Sequence, residues 1–152
     1  MSKQKFVYVS YIKTTIDVLW KALTSPEFTR KYWLGQSIVC DWKVGSPLKL
    51  VKTDGVVVNL GKVLIVEKPK VLSHTWNPQT KEGTSVEAPS RVTFHLEPDE
   101  QIVKLTVTHD EFPVNSKVFP QINGGWPVII SSLKSLLETD KPLTGKSSTG
   151  TC

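Results

Sequence analysis

The sequence lacks the residues that would indicate a disulfide framework, a metal site or a membrane span. Its two cysteines, Cys40 and Cys152, lie in different kinds of sequence and do not have the spacing of a disulfide framework or a metal site. No apolar run reaches the length of a transmembrane helix, and the first residues do not form a signal peptide. These absences favour a protein of the reducing cytoplasm that has neither a bound metal nor a membrane span.

Clusters of charge are missing as well. The 19 Lys and Arg residues outnumber the 14 Asp and Glu residues and give a net charge of +5, but no four basic residues occur in a row. Scattered basic charge is typical of a solvated surface, whereas a nucleic-acid site needs basic residues clustered with exposed aromatic ones. We therefore predict no nucleic-acid partner. The sequence also contains no glycine-rich phosphate loop and no nucleophile-elbow serine, and we predict no cofactor.

What the sequence does contain is a change of hydrophobic period along the chain. Residues 6–12 are β-branched and aromatic and predict a strand, and helical spacing follows over residues 15–24. Ser25-Pro26-Glu27 has the composition of a second helix start, and that short helix is predicted to end near Trp33. From residue 37 to residue 110 the period is two. It predicts strands at residues 38–42, 47–53, 56–66, 71–76, 90–97 and 102–109.

The last part of the chain predicts one long helix. Residues 110–123 are predicted to be irregular, and residues 124–127 to open the helix with Pro127 in its first turn. The order of elements is strand, two helices, six strands and a long helix. This order indicates an α+β fold in which a curved antiparallel sheet wraps around the C-terminal helix. We predict one domain over residues 1–140 and a disordered polar tail over residues 141–152.

Three sequence motifs carry a resemblance to a known family. They are residues 18–24 followed by Tyr32-Trp33, residues 61–63 with Pro69, Leu72 and Trp76, and residues 105–109 followed by Gly125-Trp126. With these motifs the chain resembles START-like (SRPBCC) domains, and among them the homologues of the heat-shock-protein-90 ATPase activator. The resemblance extends over residues 6–138. Gly45-Ser46 departs from the double glycine that the family often has after its second strand.

The resemblance implies a helix-grip (START/Bet v-like) fold of about six or seven strands, with a cavity between the sheet and the C-terminal helix. Family members bind varied apolar or aromatic ligands, some relatives are cyclases, dehydratases or hydrolases, and the namesake stimulates a chaperone's ATPase. The first hypothesis is therefore non-catalytic binding of an apolar small molecule of lipid, polyketide or flavonoid type. The alternatives are an enzyme of the cyclase or dehydratase type and a protein–protein module that regulates a chaperone.

Strand parity places two of the three histidines on the apolar face of the sheet. Alternate residues of a strand point the same way, so His74 shares a face with Leu72 and Trp76. By the same rule His109 points inward and His95 points to solvent. Imidazole titrates near neutral pH, so an inward pair could anchor a ligand or act as general acid and base. The alternative is two neutral histidines held by neighbouring groups in the core.

The aromatic residues form the second candidate constellation. Aromatic walls with a few polar groups suit flat apolar ligands, and the alternative is that these side chains fill the core. The predicted ligand-binding residues are Trp33, Trp42, His74, Trp76, Phe94, His109, Phe112, Trp126 and Ile130. Arg91 and Glu111 are further candidates for orienting a ligand's polar atoms. No catalytic residue and no metal ligand is predicted.

Overall fold

Seven antiparallel strands form one continuous sheet in the computed structural model, which describes residues 4–143. The strands are β1 (Phe6–Ile12), β2 (Ser37–Val39), β3 (Pro47–Val51), β4 (Val57–Glu67), β5 (Val71–Pro78), β6 (Ser90–Asp99) and β7 (Ile102–Asp110). Their order in the sheet is β1-β7-β6-β5-β4-β3-β2. The helices are α1 (Ile16–Thr24), α2 (Pro26–Tyr32) and α3 (Val118–Thr139). The predicted α+β class and helix-grip fold, with two short helices after the first strand, are confirmed.

The two short helices connect β1 to the far edge of the sheet. The Thr15 hydroxyl accepts a hydrogen bond from the Val18 N–H at 3.2 Å and caps α1, and Pro26 occupies the start of α2. The Tyr32 hydroxyl donates to the Ala22 carbonyl oxygen at 2.9 Å and joins the two helices. This junction fixes where the chain leaves α2, and therefore where the next residue, the buried Trp33, points.

Strand parity divides the sheet into a buried and an exposed face. The inward residues of β5, β6 and β7 include Leu72, Phe94 and Leu105, which are at most 2% exposed. His74 and His109 lie on this face and are buried, whereas His95 is exposed on the other. On β1 the outward row consists of Val7, Val9 and Tyr11, each between 43% and 53% exposed.

The ladder between β4 and β5 is irregular. Its register shifts between Val63 and Ile65. Within β5, the His74 side chain donates from Nδ1–H to the carbonyl oxygen of the next residue, Thr75, at 2.8 Å. A Cβ atom at Gly61 on β4 would collide with that same carbonyl oxygen. The close approach of the two strands at this point therefore requires glycine.

The last helix begins earlier than the sequence predicts. Residues 118–123, predicted to be irregular, form its first turns, and Pro127 lies inside the helix rather than in its first turn. The Ser116 hydroxyl accepts from the N–H groups of Val118 and Phe119, at 3.1 and 3.0 Å. Ser116 in turn donates to the Glu87 carboxylate in the loop between β5 and β6, which also accepts from the Lys117 N–H at 2.8 Å. This capping network is why the helix can begin before the two glycines.

Helix α3 also covers one end of the β1 edge. The Lys134 ammonium donates to the Tyr11 carbonyl oxygen and forms an ion pair with Glu138 at 2.7 Å. The Glu138 carboxylate accepts from the Lys13 N–H at 2.8 Å. These contacts hold the C-terminal half of α3 against the end of β1.

Two predictions fall partly outside this description. Residues 144–152, most of the predicted tail, lie outside the described residues, and the domain boundary at residue 140 stays a prediction. Within residues 4–143, no helix has the length and apolar character needed to cross a membrane.

Candidate functional site

A cavity of about 210 Å³ lies between the first half of α3 and the sheet. Its walls come from the α2–β2 connection, from β3, β4 and β5, and from α3. The lining residues are Trp33, Gln36, Leu50, Val58, Asn59, Trp76, Pro78, Val118, Gln121, Ile122, Gly125, Trp126 and Ile129. Gln121 is exposed, and Val58 and Pro78 are half-buried, so the cavity meets the surface beside these residues.

Three tryptophans from separate parts of the chain meet at this cavity, and we call Trp33, Trp76 and Trp126 the tryptophan cluster. The rings of Trp33 and Trp76 lie nearly parallel, with centroids 6.2 Å apart and an interplanar angle of 19°. The ring of Trp126 stands across both, 5.6 Å from Trp33 and 5.3 Å from Trp76. Such offset and edge-to-face contacts are favourable between aromatic rings, so the cluster forms an ordered apolar wall.

His109 holds Trp126 in place from behind this wall. The Trp126 indole Nε1–H donates to His109 Nδ1 at 3.0 Å. Because Nδ1 accepts, the proton of the neutral imidazole lies on Nε2, which donates to the Ser90 hydroxyl at 2.7 Å. The ring of Phe112 stacks on the same imidazole, with centroids 4.6 Å apart. Both nitrogens of His109 are thus occupied by protein groups.

Burial keeps His109 neutral. Burial, with a smaller contribution from the charge of a protonated His74, lowers the pKa of His109 to about 3. A protonated imidazole would also direct a second N–H at the indole N–H of Trp126, which is the wrong partner for a donor. His109 therefore has no lone pair to offer a substrate while Trp126 remains in place, which argues against a role as general base.

His74 is also bound within the protein. Its Nδ1–H donates to the Thr75 carbonyl oxygen, and burial lowers its pKa to about 4. Its ring lies 6.3 Å from that of Trp76 and 6.1 Å from that of Phe94. His74 does not line the cavity. These contacts favour the second interpretation of the histidine pair, in which both are neutral residues held in the core.

The structure separates the nine predicted site residues into three groups. The tryptophan cluster lines the cavity, and five other residues are buried but do not line it: His74, Phe94, His109, Phe112 and Ile130. Trp42 belongs to neither group. It is half-buried, and its Nε1–H donates to the Thr24 carbonyl oxygen at 2.9 Å, at the end of α1.

Trp42 does not line the cavity, because β2 ends at Val39 rather than at the predicted residue 42. Trp42 has a positive φ of 60°, so the alternation assumed for a strand does not apply to it. The two additional candidates also lie elsewhere. Arg91 forms a two-pronged ion pair with Asp110, and neither Arg91 nor Glu111 lines the cavity.

The cavity is also lined by three carboxamide side chains that were not predicted from the sequence: Gln36, Asn59 and Gln121. Asn59 is 3% exposed, and its Oδ1 accepts from the Asn77 N–H at 3.0 Å. The available signal was the polar Asn59 in the otherwise apolar first half of β4. Gln36 and Gln121 had no such signal, because they lie in a connection and in a segment predicted to be irregular.

Comparison with known proteins assigns the sequence to a family. A family model described as activator of Hsp90 ATPase homolog 1-like protein matches residues 13–138. No curated protein sequence gives a significant match.

Solved structures resemble the fold along nearly the whole chain. Protein MLL2253 from Mesorhizobium loti is 28% identical, with a TM-score of 0.74 over 89% of this chain and 97% of that chain. PFC0360w, an HSP90 activator from Plasmodium falciparum, is 21% identical, with a TM-score of 0.71 over 88% and 95%. CalU16 from Micromonospora echinospora is 16% identical, with a TM-score of 0.71 over 90% and 77%. The last two show likeness of fold alone.

Proposed function

The chain belongs to the family of activator of Hsp90 ATPase homolog 1-like proteins, and from that premise we propose that it binds a small apolar molecule in the cavity between α3 and the sheet. The observation that carries the proposal is the tryptophan cluster around a cavity of about 210 Å³. Ring faces offer a large, rigid apolar surface, and the carboxamides supply the few polar groups typical of small-molecule sites.

The size of the cavity limits the ligand. An engineered cavity of about 150 Å³ in another protein binds one benzene ring, and most drug-sized pockets exceed about 300 Å³. A volume of about 210 Å³ therefore fits one substituted ring or two fused rings. A sterol or a multi-ring polyketide would require α3 to move away from the sheet.

Binding without catalysis is the function that the polar groups support. A general base needs a free lone pair directed at the substrate. Both nitrogens of His109 are hydrogen-bonded within the protein, and His74 does not line the cavity. The cavity wall thus offers a surface for binding and no activated acid or base.

The test is a titration of the purified protein with small aromatic compounds, followed by amide NMR and tryptophan fluorescence. Saturable changes at Trp33, Trp76 and Trp126 would support the proposal. The variant Val58→Phe should fill the cavity and abolish binding. The matched control Val56→Phe adds the same group two residues away, at a side chain that is 48% exposed and does not line the cavity. Equal binding by both variants would refute the proposal.

A second candidate function is regulation of a chaperone ATPase, because the family description and the structure of PFC0360w both name an Hsp90 activator. The observation that favours it is the exposed apolar row of Val7, Val9 and Tyr11 on β1. Apolar rows on an otherwise polar surface suit protein contacts. If this candidate is correct, the protein stimulates the ATPase of its chaperone and Val9→Lys loses the stimulation. An unchanged ATPase rate on adding the unmodified protein would eliminate it.

We propose a cytoplasmic location for either function. The thiol of Cys40 is free and half-buried, and its Sγ accepts from the Trp42 N–H at 3.2 Å. Free thiols persist most readily in a reducing compartment.

A further inference from the structure

Among the described residues 4–143, no charged side chain lies on the wall of the cavity. None of the 13 residues that line it is Lys, Arg, Asp, Glu or His. His109 and His74 lie behind the tryptophan cluster and direct their hydrogen bonds at protein groups. A ligand in this cavity therefore meets no counter-ion from the part of the chain that the structure describes.

The buried Asn59 on the wall favours one kind of ligand atom. The Asn59 Oδ1 is occupied by the Asn77 N–H, so the group that Asn59 has left to offer is its amide nitrogen with two N–H donors. Asn59 is 3% exposed, so its donors lie in a desolvated environment where pairing matters most. Trp126 contributes no donor, because its indole N–H is bonded to His109.

We propose that the ligand is an uncharged aromatic compound of one or two fused rings that carries a carbonyl or hydroxyl oxygen, which accepts from Asn59. We infer further that the cavity rejects the corresponding carboxylic acids. This inference rests on the proposed binding function and specifies its ligand class. A carboxylate could accept the same hydrogen bond, but burying its charge without a cation is costly.

The experiment compares 2-naphthamide with 2-naphthoate by calorimetry at about pH 7. The two compounds have nearly the same shape and differ in charge. The amide should bind at least about ten-fold more tightly, since an unpaired buried charge costs well over the energy of one decade in affinity. If the naphthoate binds as tightly as the amide, the charge inference is overturned and the proposed binding function stands. If neither compound binds, both are overturned.

Two variants test the residues. Asn59→Asp keeps an oxygen that can accept from the Asn77 N–H but replaces the donor amide by a carboxylate. It should therefore lose binding of 2-acetylnaphthalene, whose carbonyl oxygen accepts and which has no N–H to donate to the new carboxylate. Gln121→Lys places a cation at the exposed side of the cavity, where folding should tolerate it. It should raise the affinity for 2-naphthoate several-fold relative to the affinity for 2-naphthamide, by the gain of a counter-ion. Unaltered binding of 2-acetylnaphthalene by Asn59→Asp would refute the role of Asn59.

Discussion

Acidification should destabilise the fold well above the pH at which carboxylates titrate, because two buried histidines must stay neutral in it. Burial lowers the pKa of His109 to about 3 and that of His74 to about 4. In the unfolded chain both have an ordinary pKa of about 6.5. Between these limits the unfolded state binds more protons than the folded state, so stability falls as pH falls. The stabilisation is fully present above about pH 6.5.

The size of the effect follows from the pKa values. Each pH unit below about 6.5 lowers the free energy of unfolding by about 1.4 kcal/mol per histidine. At about pH 5 the loss is therefore on the order of 2 kcal/mol for each histidine. Together they remove on the order of 4 kcal/mol, against a typical total stability of about 5–15 kcal/mol. Asp41 and Glu138 have lowered carboxyl pKa values, so their own contributions are lost at lower pH than this window.

Urea unfolding followed by circular dichroism at several pH values between about 5 and 7.5 measures this dependence. His109→Gln removes one titrating group, so it should lower the slope of the free energy of unfolding against pH by about 1.4 kcal/mol per pH unit. This change in slope is expected even if the variant is less stable at every pH. His95→Gln is the matched control, because His95 is exposed and lies on the opposite face. The reasoning is refuted if His109→Gln leaves the slope unchanged.

Three further substitutions, the first with a matched control, test contacts elsewhere in the fold. Gly61→Ala should lower the free energy of unfolding in urea by about 1–3 kcal/mol, because the added Cβ collides with a carbonyl oxygen of β5. The control Gly124→Ala should be neutral or stabilising, because there is open space around the added Cβ in α3. Trp126→Phe keeps a ring but leaves the buried Nδ1 of His109 unpaired, so it should lower the free energy of unfolding by about 1–3 kcal/mol. A loss below about 0.5 kcal/mol would contradict the role given to that hydrogen bond. Ser116→Ala removes a helix cap and should lower the free energy of unfolding by about 0.5–2 kcal/mol. Amide hydrogen exchange in the first turn of α3 should become faster, and unchanged exchange there would contradict the capping role.

Most of the fold could be predicted because its elements follow local rules. The period of two, interrupted by turn residues, predicted six strands whose positions agree with the structure to within a few residues. Parity placed His74 and His109 on the buried face, since the register of β5, β6 and β7 has no shift between them. Parity fails where the backbone departs from a strand, as at Trp42.

What could not be predicted depends on contacts between distant parts of the chain. The early start of α3 relies on Glu87, 29 residues before the serine that it contacts. Pro120 and the two glycines of this segment are breakers by local rules, although a proline in the first turn of a helix loses no intrahelical hydrogen bond. Gln121 could not be predicted to line the cavity for the same reason, because it lies on the turns of α3 that this capping network stabilises.

The contacts of α3 with the end of β1 have a consequence for how the protein can meet other chains. An edge strand with free N–H and C=O groups can pair with a strand of another molecule. Here the Lys134 ammonium occupies the carbonyl of Tyr11, and the Glu138 carboxylate occupies the N–H of Lys13. An incoming strand would have to displace a charged pair to extend the sheet past this point. A partner strand that leaves this pair intact therefore has to stop short of Tyr11, whereas a partner that contacts Val7 and Val9 across the outer face meets no such limit.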